Sequence, residues 1–211
     1  MYKHFFKRLI DILISLVALP VLLVVMVAFA PIIYFTDRGP VFYNALRIGR
    51  NGKLFKMYKF RSMYVGAPDI RLADGSTYNG EDDPRVTPIG RFMRKTSIDE
   101  LPQFLNVLIG NMSIIGPRPD TPEDAHRYPE EEAFFLRVKP GITGYSQAYY
   151  RNSVDGKTKA VHDMYYAQNI SFVFDVKIFL KTIATVLLAQ NTYKDTENET
   201  QANEEAALLK K

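Results

Sequence analysis

The chain has 211 residues, a formal net charge of +4 and no cysteine. The missing thiols exclude disulfides, zinc–thiolate sites and a cysteine nucleophile, and three scattered histidines (His4, His126, His162) argue against a histidine-rich metal centre. Residues 191–211 carry −2, which leaves +6 on the first 190 and suits an anionic partner: a membrane surface, a nucleotide or a nucleic acid.

Ile12 to Phe35 holds no charged residue and, Ser15 and the prolines apart, is apolar. As one helix it would reach about 36 Å, against a hydrocarbon core of roughly 30 Å. The run is long for a secretory signal and lacks a small-residue cleavage site. A spanning anchor and a re-entrant helix remain. Pro20 removes a hydrogen bond inside the run. Cations flank both sides, with Lys3, Lys7 and Arg8 before it and Arg38, Arg47, Arg50, Lys53, Lys56 and Lys59 after. Positive flanks favour the cytoplasm, so both ends prefer one side. A helix that enters, breaks near Leu19-Pro20 and returns meets both facts; proline is also tolerated in spanning helices, so the span stays open.

Thr36-Asp37-Arg38-Gly39-Pro40 reads as a turn leaving that segment. Val41-Phe42-Tyr43 and Leu54 to Phe60 are predicted strands around the Asn51-Gly52 turn, a hairpin signal. Lys59-Phe60-Arg61 places two cations beside a buried ring and reads first as a solvated strand edge. Residues 66–84 make a turn-rich stretch of lid or binding-loop length. Its Asp82-Asp83-Pro84 fits turn chemistry better than a metal. Thr87-Pro88 then opens a short helix with Pro88 near N1.

Asp99 and Glu100 follow the cations Arg91, Arg94 and Lys95. Ser97 with Glu100 three residues on has the form of a capping box, which would hold both acids in a helix's first turn. The same backbone N–H groups suit a phosphate. An ionised carboxylate there can serve as nucleophile, metal ligand or general base. Leu101, Phe104, Leu105, Val107 and Leu108 continue as an apolar helical face to Gly110. Gly116-Pro117-Arg118-Pro119-Asp120 fixes the backbone around one guanidinium, either as a phosphate fork or as a structural turn.

Glu123 to Arg137 reads as a charged helix interrupted by Pro129, and Lys139 to Tyr145 as a rigid Gly/Pro loop. Val161 to Gln168 is predicted helical, with Asp163 and Tyr165-Tyr166 near its middle. Phe172, Val176, Phe179, Ile183, Val186 and Leu187 recur at helical spacing, as a core stripe or an interfacial face. From Asn191 the polar, acidic chain is expected to be disordered.

Several of these pieces, in order over residues 1 to about 190, resemble the monotopic phosphoglycosyl transferases, also called bacterial sugar transferases. They are Lys7-Arg8-x-x-Asp11 before the proline-broken run, Gly39-Pro40-Val41-Phe42-Tyr43 and Lys59-Phe60-Arg61-Ser62-Met63. Arg91 through Gln103, Gly116 to Asp120 and Lys139 to Gly144 complete the set. Ser62 stands where threonine is usual, and Tyr145-Ser146 where Trp-Ala is common.

The resemblance implies transfer of a phospho-sugar from a UDP-sugar to polyprenyl (undecaprenyl) phosphate, with UMP released and Mg²⁺ required. It makes Asp99 the nucleophile of a covalent intermediate and Glu100 its essential partner, both near the metal. Lys59, Arg61 and Arg118 become anion-binding cations, and Asp163 a secondary polar residue. The short length resembles members that begin N-linked glycan assembly, whose donor is UDP-N,N′-diacetylbacillosamine. The implied place is the cytoplasmic face of a bacterial inner membrane, with membrane lipids and downstream glycosyltransferases as partners and no nucleic acid. The expected fold is α+β: a re-entrant membrane helix over 1–36, a mixed domain with interfacial helices over 37–190, and a disordered tail over 191–211. Two other readings are a membrane-tethered scaffold without catalysis and, from charge alone, a nucleic-acid binder, for which no motif speaks.

Overall fold

The computed structural model describes residues 1–71, 78, 80, 82–123, 132–151, 154–188 and 196–209. After a π-wound turn over Tyr2–Phe6, α1 runs from Lys7–Asp37 and ends at Arg38, whose φ of 56° is left-handed. Pro20 and Pro31 lie inside this helix. Helical hydrogen bonding continues through Leu19-Pro20, the place where the break was expected. A proline deletes only one backbone hydrogen bond of the ladder. Tyr2–Asp37 is long and apolar enough to cross a membrane.

Both ends of α1 are nevertheless held by the rest of the chain. Near the start, Lys7 Nζ and Tyr2 Oη reach the Asp175 carboxylate at 2.7 and 2.6 Å. Arg8 donates to the Val107 and Leu108 carbonyls, and the buried Asp11 accepts from Ser113 Oγ and Ile114 N. Towards the other end, Leu22 and Ile33 pack with Phe60 and Met93, and Asp37 pairs with Arg61 at 2.6 Å.

The hairpin forms as predicted, with β1 (Phe42–Ile48) antiparallel to β2 (Leu54–Phe60) and Phe42 opposite Phe60. Asn51 and Gly52 supply the left-handed residues of its turn, with φ of 58° and 74°. β1 runs further than the three residues expected. The turn-rich 66–84 stretch lies partly outside the described residues; within it, Asp83 is buried in an ion pair with Arg85 at 2.8 Å, and Asp82 accepts from Tyr78 Oη.

α2 (Pro88–Thr96) starts as read, with Thr87 Oγ1 accepting from Gly90 N. α3 (Gln103–Ile109) ends at Gly110, φ 98°. Asn106, fully buried on α3, donates to Lys56 O and accepts from Tyr58 N, fastening the helix to β2. β3 (Ser113–Ile115) pairs in parallel with β4 (Gly141–Thr143), a strand where only a rigid loop was expected. The predicted 123–137 helix falls mostly outside the described residues; Glu132–Arg137 is a 3₁₀ turn.

Three helices follow: α4 (Tyr145–Tyr150), α5 (Gly156–Gln168) and α6 (Phe172–Leu187). The main core joins Phe55 and Met57 of the hairpin, Val107, Ile114, Ile115, Tyr145, Tyr166 and Ile178. On α6 the predicted apolar stripe faces outward, with Phe172 at 53% and Leu187 at 79% exposure, while Ile178 and Thr185 face the core. The stripe is therefore not a core stripe. The tail expected to be disordered contains α7 (Thr196–Leu209), with Ala202 and Ala206 buried. Composition misjudged it because small residues on one face allow close docking despite the acidic remainder.

Candidate active site

α2 stops at Ser97, which takes the left-handed conformation (φ 58°, ψ 17°), and a 3₁₀ turn over Ile98–Glu100 carries the chain towards α3. The predicted capping box does not form. Ser97 O accepts from Glu100 N at 3.1 Å, but Ser97 Oγ accepts from Arg151 Nη2 at 3.2 Å. The Glu100 carboxylate instead meets Lys59 Nζ at 2.6 Å and Arg118 Nη2 at 3.3 Å. Two full positive charges attract the carboxylate more strongly than the partial charge of one backbone N–H.

Each cation arrives by a separate route. Lys59 projects from β2 beside the buried Phe60. Arg118 stands just beyond β3, where Gly116 N donates to Thr143 O and Gly141 N to Pro117 O, both at 2.8 Å. Those bonds lock the Pro-Arg-Pro loop against β4.

Asp99 is 8% exposed, and among the described residues none donates a hydrogen bond to its carboxylate. Burial pushes its pKa above the carboxylate range, the Lys59 charge pulls it back, and Glu100 raises it further. Burial opposes the Glu100 charge too, but Lys59 and Arg118 outweigh it and hold that carboxyl below its ordinary value. The pair therefore consists of a firmly ionised Glu100, committed to two cations, and an Asp99 whose oxygens are uncommitted.

Of the six residues singled out from the sequence, Asp99, Glu100, Lys59 and Arg118 come together. Arg61 does not join them. Its guanidinium is buried among Asp37, Ile33 O, Pro40 O and Met63 O, which uses all three of its nitrogens. Lys59 and Arg61 share one strand face in pattern only, because Arg61 lies past the end of β2, where the chain turns back to α1. Asp163 sits behind the Arg118 loop: Lys159 bridges it to Asp120, each at 3.0 Å, and burial pushes its pKa up to about 6.

Of two further residues at the site, Arg94 reads in the sequence only as part of a cationic cluster, and Arg151 is not singled out there. Arg94 donates to Ser62 Oγ and its charge acts on Asp99. Arg151 follows α4 and reaches Ser97. The available signal was that Arg151 is the lone cation between Lys139 and Lys157.

The donor set suits a hard divalent ion that keeps much of its own coordination. Among the described residues no cluster of three or more acidic or histidine ligands exists, so a protein cage is not what the site offers. Mg²⁺ is commonly held by one or two carboxylates plus substrate phosphates, which the uncommitted Asp99 oxygens fit.

A family model described as bacterial sugar transferase matches residues 2–189, and the chain belongs to that family. It is 38% identical over 207 residues to the undecaprenyl-phosphate galactose phosphotransferase of Salmonella typhimurium, covering 90% of this chain and 42% of that protein. Over 189 residues it is 40% identical to the UDP-N-acetylgalactosamine-undecaprenyl-phosphate N-acetylgalactosaminephosphotransferase of Aeromonas hydrophila, covering 87% and 44%. The exopolysaccharide production protein ExoY of Sinorhizobium fredii is 39% identical over 198 residues, covering 89% and 88%. This chain thus spans less than half of the first two relatives and most of the third.

Proposed function

We propose that this protein transfers a sugar-1-phosphate from a UDP-sugar to undecaprenyl phosphate at the cytoplasmic face of the inner membrane. The observation that carries the reading is the Asp99 carboxylate: buried, uncommitted, and beside a Glu100 that gathers Lys59 and Arg118. Family membership and the relatives' names supply the substrate class.

An Asp99 oxygen attacks the phosphorus that bears the sugar. The bond from that phosphorus to the bridging oxygen breaks, and UMP leaves with the electron pair. A phosphate oxygen of the lipid then attacks the same phosphorus and breaks its bond to Asp99. The carboxylate is regenerated and a polyprenyl-diphosphate-sugar results. Neither displacement needs a proton. Lys59 and Arg118 face the charge that builds on the phosphates, where fixed cations contribute most. Glu100, kept ionised by them, holds both in place and is no proton donor at neutral pH. Asp99, with Glu100 beside it, would hold Mg²⁺ together with the substrate phosphates, the ion neutralising charge on the leaving group.

The relatives' names make UDP-galactose and UDP-N-acetylgalactosamine the first donors to assay. The diacetamido-trideoxy sugar implied by resemblance to short family members is the third. The lipid-linked product is a substrate for a downstream glycosyltransferase.

A re-entrant α1 is the topology we favour. At 31 residues it is about 46 Å long if straight, yet residues of one domain hold it near both ends. Partners for Lys7 and for Asp37 on opposite faces of a bilayer would need two domains. The outward stripe of α6 gives that domain a second apolar contact with the interface.

The test is UMP release by the purified protein with each donor, undecaprenyl phosphate and Mg²⁺, together with mass spectrometry of the Asp99 peptide. A phospho-sugar adduct on Asp99 is expected. Normal turnover by Asp99→Asn would overturn the nucleophile assignment.

A further inference from the structure

The family match ends at residue 189, and α7 lies beyond it. The helix is nevertheless built into the molecule. Ala202 and Ala206 present small side chains to the domain, Thr158 Oγ1 donates to Asn203 Oδ1, and Leu209 reaches the main core. From the same face, Glu205 accepts hydrogen bonds from Tyr145 Oη and Tyr150 Oη. These tyrosines are the first and last residues of α4, so a single carboxylate holds a short helix at both ends. Behind them the fully buried His162 stacks on Tyr150 (5.3 Å, 16°), meets Tyr145 edge-on (5.4 Å, 88°) and stands 4.0 Å from Glu205.

Directly after Tyr150 comes Arg151, at φ 45° and ψ −106°. A side chain other than glycine adopts that conformation only where its surroundings impose it, and such residues gather at functional sites. On one side the surroundings are α4 under the Glu205 clamp. On the other, Arg151 Nη2 donates to Ser97 Oγ, two residues before Asp99. A continuous path of hydrogen bonds and covalent chain therefore joins α7 to the turn that carries the carboxylate pair.

We propose that α7 is a clasp on the active site: by holding both ends of α4, Glu205 fixes Arg151 against Ser97 and so orders the Asp99–Glu100 turn. Glu205 is a positioning residue here, touching no substrate. Its effect on turnover rests on the phosphotransferase reading; its effect on the order of the turn does not.

The test uses the full chain in nanodiscs, with amide hydrogen exchange read by mass spectrometry and UMP release read in parallel. In Glu205→Ala, exchange over residues 145–151 and 97–101 should rise about a hundredfold, the loss of two hydrogen bonds to a charged acceptor, while the 42–60 hairpin stays protected. Tyr150→Phe, which keeps the ring on His162, should loosen the same two segments. Glu205→Gln keeps an acceptor oxygen and should recover most of the protection. The kcat for UMP release should fall with Glu205→Ala, and adding that change to Arg151→Ala should lower it no further. Faster exchange confined to 196–209, or losses in kcat that multiply in the double variant, would overturn the clasp. Absence of turnover in the unaltered chain would remove the proposed reaction and leave the exchange test standing.

Discussion

Asp99 and Glu100 are neighbours whose protonation equilibria are displaced in opposite directions, and each displacement has a consequence for stability and rate. The Asp99 pKa lies above its unfolded value, so its contribution to stability is complete below the unfolded pKa and is lost as pH rises through the folded one. At neutral pH the charge needed for attack is therefore destabilising. Asp99→Asn should abolish turnover, by about 10³-fold or more, while raising the melting temperature by about 2–4 °C for each kcal/mol relieved. Glu100 has the opposite sign: its contribution is present above its unfolded pKa and disappears as pH falls through the depressed one. Removing its charge lowers the Asp99 pKa, so Glu100→Gln should move the acid limb of the kcat/KM profile to lower pH. Lys59→Met should move that limb the other way. Arg61 and Arg118 make a contrasting pair. Arg61→Met leaves Asp37 without its cation in a largely buried setting and should cost about 3 kcal/mol of stability. Arg118→Ala, at a residue whose side chain is 41% exposed, should raise KM for the UDP-sugar and spare the melt.

Between single residues and the whole lie the short elements that aim them. The parallel pair β3–β4 has room for no side chain at its crossing: a Cβ on Gly116 would lie 2.5 Å from Lys139 O and 2.7 Å from Gly141 N. Gly116→Ala should part the strands and carry Arg118 away from Glu100. A displacement of about 1 Å costs on the order of 10²-fold in rate, measurable as UMP release with the helical circular dichroism unchanged. Elements of this kind were hard to read in the sequence. The hairpin was legible because Asn51-Gly52 names its own turn, and α2 and α3 because Thr87-Pro88 and Gly110 mark their ends. β4 has three residues and no alternation, so its glycines looked like loop. Ser97-x-x-Glu100 matched a local capping pattern, but the partners that decide the outcome lie 41 and 18 residues away. Lys59 and Arg61 look alike in sequence and differ only in what the fold brings to them. The dyad, Lys59 and Arg118 were readable as residue types; Arg151 and Glu205 were not, since each matters through a contact made at long range.

At the scale of the whole molecule, the arrangement of α1 against one domain makes a topological prediction. Cysteines introduced near residues 3 and 50 in this cysteine-free chain should both be labelled from the cytoplasmic side. Labelling from opposite faces would refute the re-entrant reading and restore a span. The ties on α1 also bear on how the protein is made. Lys7 waits for Asp175, 168 residues later, and at about 5–20 residues per second that partner emerges roughly 8–34 s after it. Throughout that interval Lys7 is unmatched, whereas the partners of Arg8 and Asp11 emerge earlier, 99 to 103 residues after them. On the re-entrant reading, the flanking charges alone would place α1 in the bilayer, and α6 would close onto it only afterwards.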